Sequence, residues 1–172
     1  YVNLKDAYKS LDEALTHGGI SNKVKVNLIR IESDKLKPNQ IAKKLKNISG
    51  LLIPGGFGKR GTEGKITAIK YARERKIPFL GICFGMQMAI IEFARNKLKI
   101  KKAGSTELDR NCYPVVGLIN EWNKDGKIIR GTDKDLGGTM RLGLYEAKLR
   151  NNSAIKKIYK STSIKERHRH RY

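Results

Sequence analysis

Apolar positions recur at two different spacings along the first hundred residues, and together they predict alternating helices and strands. Helical spacing marks the segments that begin near Leu4, Pro38, Thr62 and Met86. Short apolar or alternating runs between them predict strands at Lys23–Ile31, Gly50–Pro54 and Phe79–Ile82, the last two of them buried. Strands that alternate with helices favour a mostly parallel central sheet with helices on both faces, an α/β fold of three layers.

Cap residues suggest where these helices begin and end. Asn3 is a suitable N-cap for the first helix, and His17-Gly18-Gly19 is expected to end it. Pro38 suits the first turn of a short helix that carries Ile41, Leu45 and Ile48. Thr62 is expected to cap a helix that runs through Lys76.

The pattern changes after residue 100. Tyr113–Ile119 and Lys127–Arg130 flank a polar turn and predict an additional antiparallel hairpin. Leu142–Leu149 is predicted as a further strand and Ala154–Lys160 as a short helix. The chain has neither an internal repeat nor a low-complexity linker, so we expect residues 1–172 to form one domain.

The net charge of +21 raises the question of a nucleic-acid partner. The chain has 25 Lys but only 12 Arg, whereas recognition of phosphates and bases relies on Arg. The lysines are scattered, and the dense groups at Lys43–Lys46 and Lys97–Lys102 are not interleaved with aromatic residues. We therefore favour a solvated basic surface, with nucleic-acid binding as the alternative. The excess charge could also attract anionic nucleotides.

The remaining composition favours a cytoplasmic protein. Two cysteines, Cys83 and Cys112, do not make a disulfide framework. No apolar stretch approaches the roughly 20 residues that span a bilayer. The segment Tyr1–Ser10 carries charges and lacks the apolar region of a signal peptide, so we expect neither a membrane nor a secreted protein.

The strongest chemical signal is the run Gly81-Ile82-Cys83-Phe84-Gly85, between a predicted strand and a predicted helix. It is the cysteine version of the G-x-S-x-G nucleophile elbow, in which two glycines allow a sharp turn that exposes the nucleophile. Unpaired N–H groups at the helix start would stabilise a thiolate. The alternative is an inert, partly buried cysteine. Cys112 lacks such a setting, and we interpret it as structural.

A second glycine-rich segment, Gly55–Gly58, follows the predicted strand Gly50–Pro54. The end of a strand is where α/β folds place their sites. The segment is either an ordinary tight turn or a loop whose backbone approaches a ligand closely. In the second case, the N–H groups of Gly56 and Phe84 would hold the oxyanion that forms when a thiolate attacks a carbonyl.

With these motifs the chain resembles class I glutamine amidotransferases, and in particular the glutaminase domains of the CTP synthase family. The shared runs are Pro54-Gly55-Gly56-Phe57-Gly58-x-Arg60-Gly61, Gly81-Ile82-Cys83-x-Gly85-Met86-Gln87, Ser105-Thr106-Glu107, Gly137-Gly138-Thr139-Met140-Arg141-Leu142-Gly143 and Arg167-His168-Arg169-His170-Arg171-Tyr172. The resemblance covers essentially the whole chain, and the last two runs narrow it to CTP synthases. It implies a class I amidotransferase fold, which is flavodoxin-like.

The resemblance also implies the roles of individual residues. Cys83 would attack the side-chain amide of L-glutamine, release ammonia and form a glutamyl thioester that water hydrolyses. Glu107 would bind the substrate ammonium, and Arg171 is another glutamine-contacting position. The full set of implied substrate-binding residues is Gly56, Phe84, Gly85, Met86, Gln87, Glu107 and Arg171. Phe84 departs from the family, which usually has Leu there, and could tighten the pocket.

The family's catalytic histidine and glutamate belong to a His-Pro-Glu motif, and this sequence contains none. We expect both residues to lie in a segment beyond Tyr172, so that the chain is a C-terminally incomplete amidotransferase domain. The resemblance assigns His168 and His170 to ligand contact and structure rather than to the base. Neighbouring positive charges would also lower the pKa of a histidine in this run.

For the full-length enzyme, the resemblance implies an N-terminal synthetase domain, absent from this chain, in which ATP activates UTP and ammonia gives CTP. ATP and Mg²⁺ would serve that domain, and GTP would act as an allosteric activator, with the Arg60-Gly61 loop as part of the response. The amidotransferase part itself would hold no cofactor or metal. A homotetramer is implied. The alternative function is a catalytically silent, amidotransferase-like domain that regulates or scaffolds a partner.

Overall fold

The structure is a computed structural model that describes residues 5–119, 121–124, 127–130 and 141–172. The chain divides into two compact units, residues 1–101 and residues 102–172. The predicted hairpin turn lies partly outside the described residues, as do the proposed cap Asn3 and most of the Gly137–Gly143 motif.

The first unit contains helices and short strands, which alternate as predicted from Pro38 onwards. Its helices are α1 (Lys9–Ser21, after a 3-10 turn at Lys5–Tyr8), α2 (Pro38–Lys44), α3 (Thr62–Glu74) and α4 (Phe84–Asn96). Its strands are β1 (Leu51–Ile53) and β2 (Phe79–Gly81), which pair in parallel with Leu51 opposite Phe79 and Ile53 opposite Gly81. This parallel pair carries the two glycine motifs at its carboxyl edge, and the crossover between its strands is α3.

The first helix does not end at His17-Gly18-Gly19 but continues to Ser21, so the predicted stop is wrong. Gly19 is buried because the chain folds back on it. A β-carbon placed on Gly19 would lie 2.8 Å from the Val24 carbonyl oxygen and 2.9 Å from a Val26 methyl group. Gly19 therefore allows Val24 and Val26 to pack closely against the helix, and it does not end the helix.

The alternating segment Lys23–Ile31 forms no strand, which corrects the prediction. Lys23 takes a left-handed backbone conformation (φ 55°), and the N–H of Val24 then donates to the carbonyl of Gly19 at 2.9 Å. This reversal packs the start of the segment against the end of α1. The β-branched residues alternate as in a strand, but a local turn determines their path.

Helices α2 and α3 begin in different ways. Pro38 occupies the first turn of α2, as predicted. Thr62 is not the N-cap of α3 but its first residue, since the cap is Gly61 with φ 70°. The Thr62 hydroxyl instead donates to the Lys59 carbonyl at 3.0 Å. Leu36, Ile41, Leu45 and Ala68 form a buried apolar cluster between the two helices.

An ion pair joins α3 to α4. Arg73 donates from Nε to both carboxylate oxygens of Glu92, at 3.1 and 3.0 Å, and from Nη2 to Oε1 at 2.8 Å. Glu92 is only 1% exposed, whereas the Arg73 side chain is 28% exposed. These hydrogen bonds raise the pKa of Arg73 above its ordinary value. The buried carboxylate thus fixes the middle of α4 against α3.

The second unit contains both parallel and antiparallel strand pairs. Strand β3 (Ala103–Ser105) pairs in parallel with β4 (Tyr113–Val116). The predicted hairpin is present, but β5 (Glu121–Lys124) pairs with β6 (Lys127–Arg130) in place of Tyr113–Ile119. The short helix α5 (Ala154–Tyr159) lies between the antiparallel partners β7 (Arg141–Lys148) and β8 (Ser163–His170). The strand Leu142–Leu149 and the helix Ala154–Lys160 are confirmed within one residue.

Strand β2 differs from the buried strand that the sequence predicts. Phe79 is 36% exposed and Leu80 is 54% exposed. In the other strand of the pair, Ile53 is buried.

Within the described ranges, no helix is both long and apolar enough to cross a membrane.

Candidate active site

The strand–turn–helix around Cys83 has the geometry of a nucleophile elbow. Cys83 lies between β2 and α4 with φ 53° and ψ −110°, a strained conformation for a residue with a β-carbon. Glycine is required on both sides of Cys83, because other backbone atoms approach these two positions closely. A β-carbon on Gly81 would lie 2.7 Å from the backbone of Gly85 and Met86, and one on Gly85 would lie 2.1 Å from the Ile53 carbonyl oxygen. The predicted elbow is therefore confirmed as a backbone structure.

Backbone hydrogen bonds hold the elbow in place. The N–H of Ile82 donates to the Ile53 carbonyl at 3.0 Å, which continues the β1–β2 pairing up to the turn. The N–H groups of Met86 and Gln87 donate to the Cys83 carbonyl at 3.0 and 3.1 Å and start the helix. Phe84 is the first residue of α4, so its N–H has no intrahelical acceptor. That group is suited to an oxyanion.

The Gly55–Gly58 loop lies beside the elbow within the first unit. A β-carbon on Gly55 would be 3.6 Å from the β-carbon of Cys83, and one on Gly56 would be 4.0 Å from a ring carbon of Phe84. The loop and the thiol are thus neighbours, although they are separated by a helix in sequence. A carbonyl group bound here can meet the Cys83 thiol and two backbone N–H groups, one from the glycine loop and one from the start of α4.

The side chains at the start of α4 differ in exposure. Phe84 is only 2% exposed, and Lys65 Nζ lies 5.6 Å above its ring. Burial lowers the pKa of Lys65. Gln87 is also buried, whereas Met86 is half exposed. The Phe84 ring is therefore buried within the first unit.

Glu107 and Arg171, the other two predicted substrate contacts, belong to the second unit. Glu107 lies in the turn after β3, where its N–H donates to the Ser105 hydroxyl at 3.2 Å. Arg171 follows β8, and its carbonyl accepts from the Ile119 N–H at 2.8 Å. The structure brings Gly56 and Phe84–Gln87 near Cys83, while the substrate contacts of all the predicted residues, Glu107 and Arg171 included, stay predictions.

Four side chains cluster on the β7–β8 pair of the second unit. The rings of Tyr145 and His168 meet edge to face at 5.3 Å, as do those of His168 and His170. The Arg141 guanidinium lies 4.3 Å above the Tyr145 ring. Burial, then His168 and Arg141, lower the pKa of His170 below its ordinary value. The direction agrees with the expectation, but burial is the first cause, followed by His168 on the same strand and Arg141 on the opposite strand.

Sequence reasoning missed one contact at this site. The Tyr8 hydroxyl donates to the Gly55 carbonyl at 3.0 Å, across a separation of 47 residues. Tyr8 is part of the Asp6-Ala7-Tyr8-x-Ser10 run, which resembles the start of the family's glutaminase domain. That run carries no local signal for a role at the glycine loop, because the two segments share neither periodicity nor motif.

We predict that Gly85→Ala destabilises the elbow. The added methyl group would lie 2.1 Å from the Ile53 carbonyl oxygen, so β1 and α4 must move apart. Overpacking of this kind costs about 1–3 kcal/mol of the free energy of unfolding. Urea denaturation followed by circular dichroism measures the change.

Gly18→Ala provides the matched control for that substitution. Gly18 lies within α1, and a β-carbon added to it would have nothing within 4 Å. Alanine there is expected to stabilise the protein by about 0.5–1 kcal/mol, since alanine has a higher helix propensity than glycine. Equal effects of the two substitutions would contradict the close-packed elbow.

The fold and the elbow together define an α/β protein with a cysteine at a strained strand–helix turn, and comparison with known proteins identifies its class. The family model "Glutamine amidotransferase class-I" matches residues 3–172. The chain therefore belongs to the class I glutamine amidotransferase family, and the α/β fold predicted from the sequence is confirmed.

Two relatives within this family are CTP synthases. The chain is 77% identical over 172 residues to a CTP synthase from Pelagibacter ubique, and 59% identical over 173 residues to one from Brucella anthropi. All of the chain is covered in both cases, but only 32% of each relative. The chain thus spans about a third of the length of these CTP synthases.

A solved structure supports the same assignment. The Trypanosoma brucei CTPS glutaminase domain with bound acivicin superposes with a TM-score of 0.84 at 33% sequence identity. The match covers 100% of this chain and 64% of that one. The resemblance to the glutaminase domains of CTP synthases, stated from the motifs, is confirmed.

Proposed function

We propose that the chain is the glutamine-hydrolysing part of a CTP synthase and that Cys83 is its nucleophile. One observation carries the nucleophile assignment: Cys83 has φ 53° at a strand–helix elbow beside the glycine loop, where a β-carbon added to Gly55 would lie 3.6 Å from the Cys83 β-carbon. A strained cysteine is retained where the surrounding structure holds it and function uses it. A merely structural cysteine has no need of this backbone conformation.

The reaction proceeds in two steps. The Cys83 thiolate attacks the side-chain amide carbon of L-glutamine, a C–S bond forms, and the carbonyl electron pair moves onto oxygen. The N–H groups of Gly56 and Phe84 stabilise this oxyanion; loss of one such donor typically costs about 2.7–4 kcal/mol of barrier. The tetrahedral centre collapses, the C–N bond breaks, and ammonia leaves after it accepts a proton. Water then attacks the thioester and yields glutamate and the free thiol.

Proton transfer in both steps requires an acid–base partner. We assign this role to the histidine of the His-Pro-Glu motif that the family resemblance implies, with its glutamate as the orienting group. The sequence of residues 1–172 does not contain that motif. Neither His168 nor His170 is assigned the role.

Substrate selection rests on the two ends of the glutamine backbone. We assign its ammonium to the Glu107 carboxylate and its carboxylate to Arg171, because a guanidinium binds a carboxylate through two parallel hydrogen bonds. Gly85, Met86 and Gln87 would line the side-chain pocket at the start of α4. Gln87 is buried at 7% exposure, which favours a fixed hydrogen-bonding group rather than a surface amide.

In the full-length protein, the ammonia would pass to an N-terminal synthetase domain that converts UTP to CTP with ATP and Mg²⁺. GTP would activate the hydrolysis allosterically, and a homotetramer is the proposed assembly. For the GTP response we point to Arg60, which pairs with Asp34 through Nε at 2.8 Å and Nη2 at 2.7 Å. This pair connects the segment after the glycine loop to the 3-10 turn at Ser33–Lys35.

The test uses the full-length protein that contains this chain. We expect ammonia release from L-glutamine and, after incubation with diazo-oxo-norleucine, a single covalent adduct that mass spectrometry locates on Cys83. Cys112, which is also a free thiol of intermediate exposure, is the internal control and is expected to stay unmodified. An unmodified Cys83 together with no glutaminase activity would favour the silent regulatory domain instead.

A further inference from the structure

The hydrogen bond from Tyr8 to the glycine loop is a contact beside the elbow that the proposed mechanism does not use. The Tyr8 hydroxyl donates to the Gly55 carbonyl oxygen at 3.0 Å, in a partly buried position. Tyr8 itself ends the 3-10 turn Lys5–Tyr8 and precedes α1 directly. A side chain at the beginning of the chain thus fixes a backbone group 47 residues away.

The Gly55 carbonyl and the Gly56 N–H belong to the same peptide unit. A peptide is planar, and in the trans form its C=O and N–H point in opposite directions. A hydrogen bond that fixes the direction of the carbonyl therefore also fixes the direction of the N–H. In this loop the fixed N–H is that of Gly56, the proposed oxyanion donor.

This peptide needs a restraint because glycine lies on both sides of it. Rotation of the peptide changes ψ of Gly55 and φ of Gly56, and glycine tolerates values that other residues exclude. A half-turn of the peptide would break the Tyr8 hydrogen bond and direct the Gly56 N–H to the opposite side. The neighbouring Gly58 already adopts a left-handed conformation with φ 77°.

We infer that Tyr8 is a positioning residue that holds the Gly55–Gly56 peptide with its N–H directed at the oxyanion. The inference rests on the proposed function, since it assigns the Gly56 N–H to glutamine hydrolysis. Tyr8 touches neither the substrate nor the thiol in this role. It acts through the orientation of one backbone donor.

The test is Tyr8→Phe in the full-length protein, which removes the hydroxyl and keeps the ring. We expect kcat for ammonia release from glutamine to fall about 3- to 10-fold, the size of one lost hydrogen bond. The KM for glutamine should change by less than about two-fold, because the donor acts mainly in the transition state. The melting temperature should stay within about 2 °C of the wild-type value.

Two comparisons separate positioning from a general disturbance. Alkylation of Cys83 by iodoacetamide generates no oxyanion, so its rate should be equal in wild type and Tyr8→Phe. Tyr159→Phe is the matched control: its hydroxyl donates to Glu166 Oε1 at 3.1 Å in the second unit, and its loss should leave kcat unchanged.

Each outcome decides the matter. A kcat for Tyr8→Phe within two-fold of an active wild type, or a parallel loss of kcat, alkylation rate and melting temperature, would overturn the positioning role and leave the proposed function intact. A wild-type protein that releases no ammonia overturns the proposed function, and the inference with it.

Discussion

Replacement of Cys83 by alanine is expected to reduce ammonia release from glutamine by about 10³-fold or more, because the proposed mechanism forms the thioester on the Cys83 sulfur. The residue sits at the elbow with φ 53°, where only its sulfur atom is lost on substitution. Alanine keeps the β-carbon and therefore the same backbone strain. We expect the free energy of unfolding to change by less than about 1 kcal/mol, since Cys83 is only partly buried.

The measurement is glutamine-dependent ammonia production by the full-length variant, with CTP formation from added ammonium chloride as the companion assay. The variant should retain the second activity if the synthetase domain is intact. Cys112→Ala is the matched control, because it removes the other free thiol, which is not part of a strand–turn–helix motif, and it should retain wild-type hydrolysis. Residual glutaminase activity above about a tenth of wild type in Cys83→Ala would exclude Cys83 as the nucleophile.

The elbow could be predicted from sequence because the residues that form its turn are consecutive in the chain. Gly81 and Gly85 are each separated from Cys83 by a single residue, and their close approaches to backbone atoms admit no β-carbon. A short motif therefore carries nearly the whole geometry. The glycine loop is harder to predict, because a run of glycines is compatible with an ordinary turn. Its position beside Cys83 follows from the parallel pairing of β1 with β2.

Two strand predictions failed because a strand-like pattern fixes neither the path of a segment nor its partner. The alternation of Lys and Val over Lys23–Ile31 satisfies the period of a strand, but the left-handed Lys23 and the close packing on Gly19 direct the chain elsewhere. Likewise, the sequence around Tyr113 suits a hairpin, but β4 pairs in parallel with β3 instead. Strand patterns specify which residues are extended, and not which partner they take.

Long-range polar contacts are equally hidden in the sequence. Nothing near Tyr8 indicates a bond to Gly55, and Arg73 and Glu92 each lie within a run that suits an ordinary amphipathic helix. Charged residues on helices are usually solvated, so the burial of Glu92 does not follow from its sequence position. The contact that fixes α4 against α3 is visible only in three dimensions.

That buried contact gives the second large expected effect: Arg73→Met should lower the free energy of unfolding by about 3–5 kcal/mol. Methionine keeps much of the aliphatic volume but leaves the Glu92 carboxylate, which is 1% exposed, without its three hydrogen bonds from the guanidinium. An uncompensated buried charge is costly because the interior solvates it poorly. Urea denaturation followed by circular dichroism gives the value.

A second ion pair between the same two helices supplies the control. Arg95 donates to Glu63 at 2.9 Å, but the Glu63 side chain is 73% exposed, so Glu63→Gln should cost less than about 1 kcal/mol. The double variant Arg73→Met with Glu92→Met should recover most of the lost stability, because it removes the charge together with its partner. Equal small effects of Arg73→Met and Glu63→Gln on the free energy of unfolding would contradict the role of the Arg73–Glu92 pair in fixing α4. A double variant as unstable as Arg73→Met alone would show that the loss comes from packing rather than from the unpaired carboxylate.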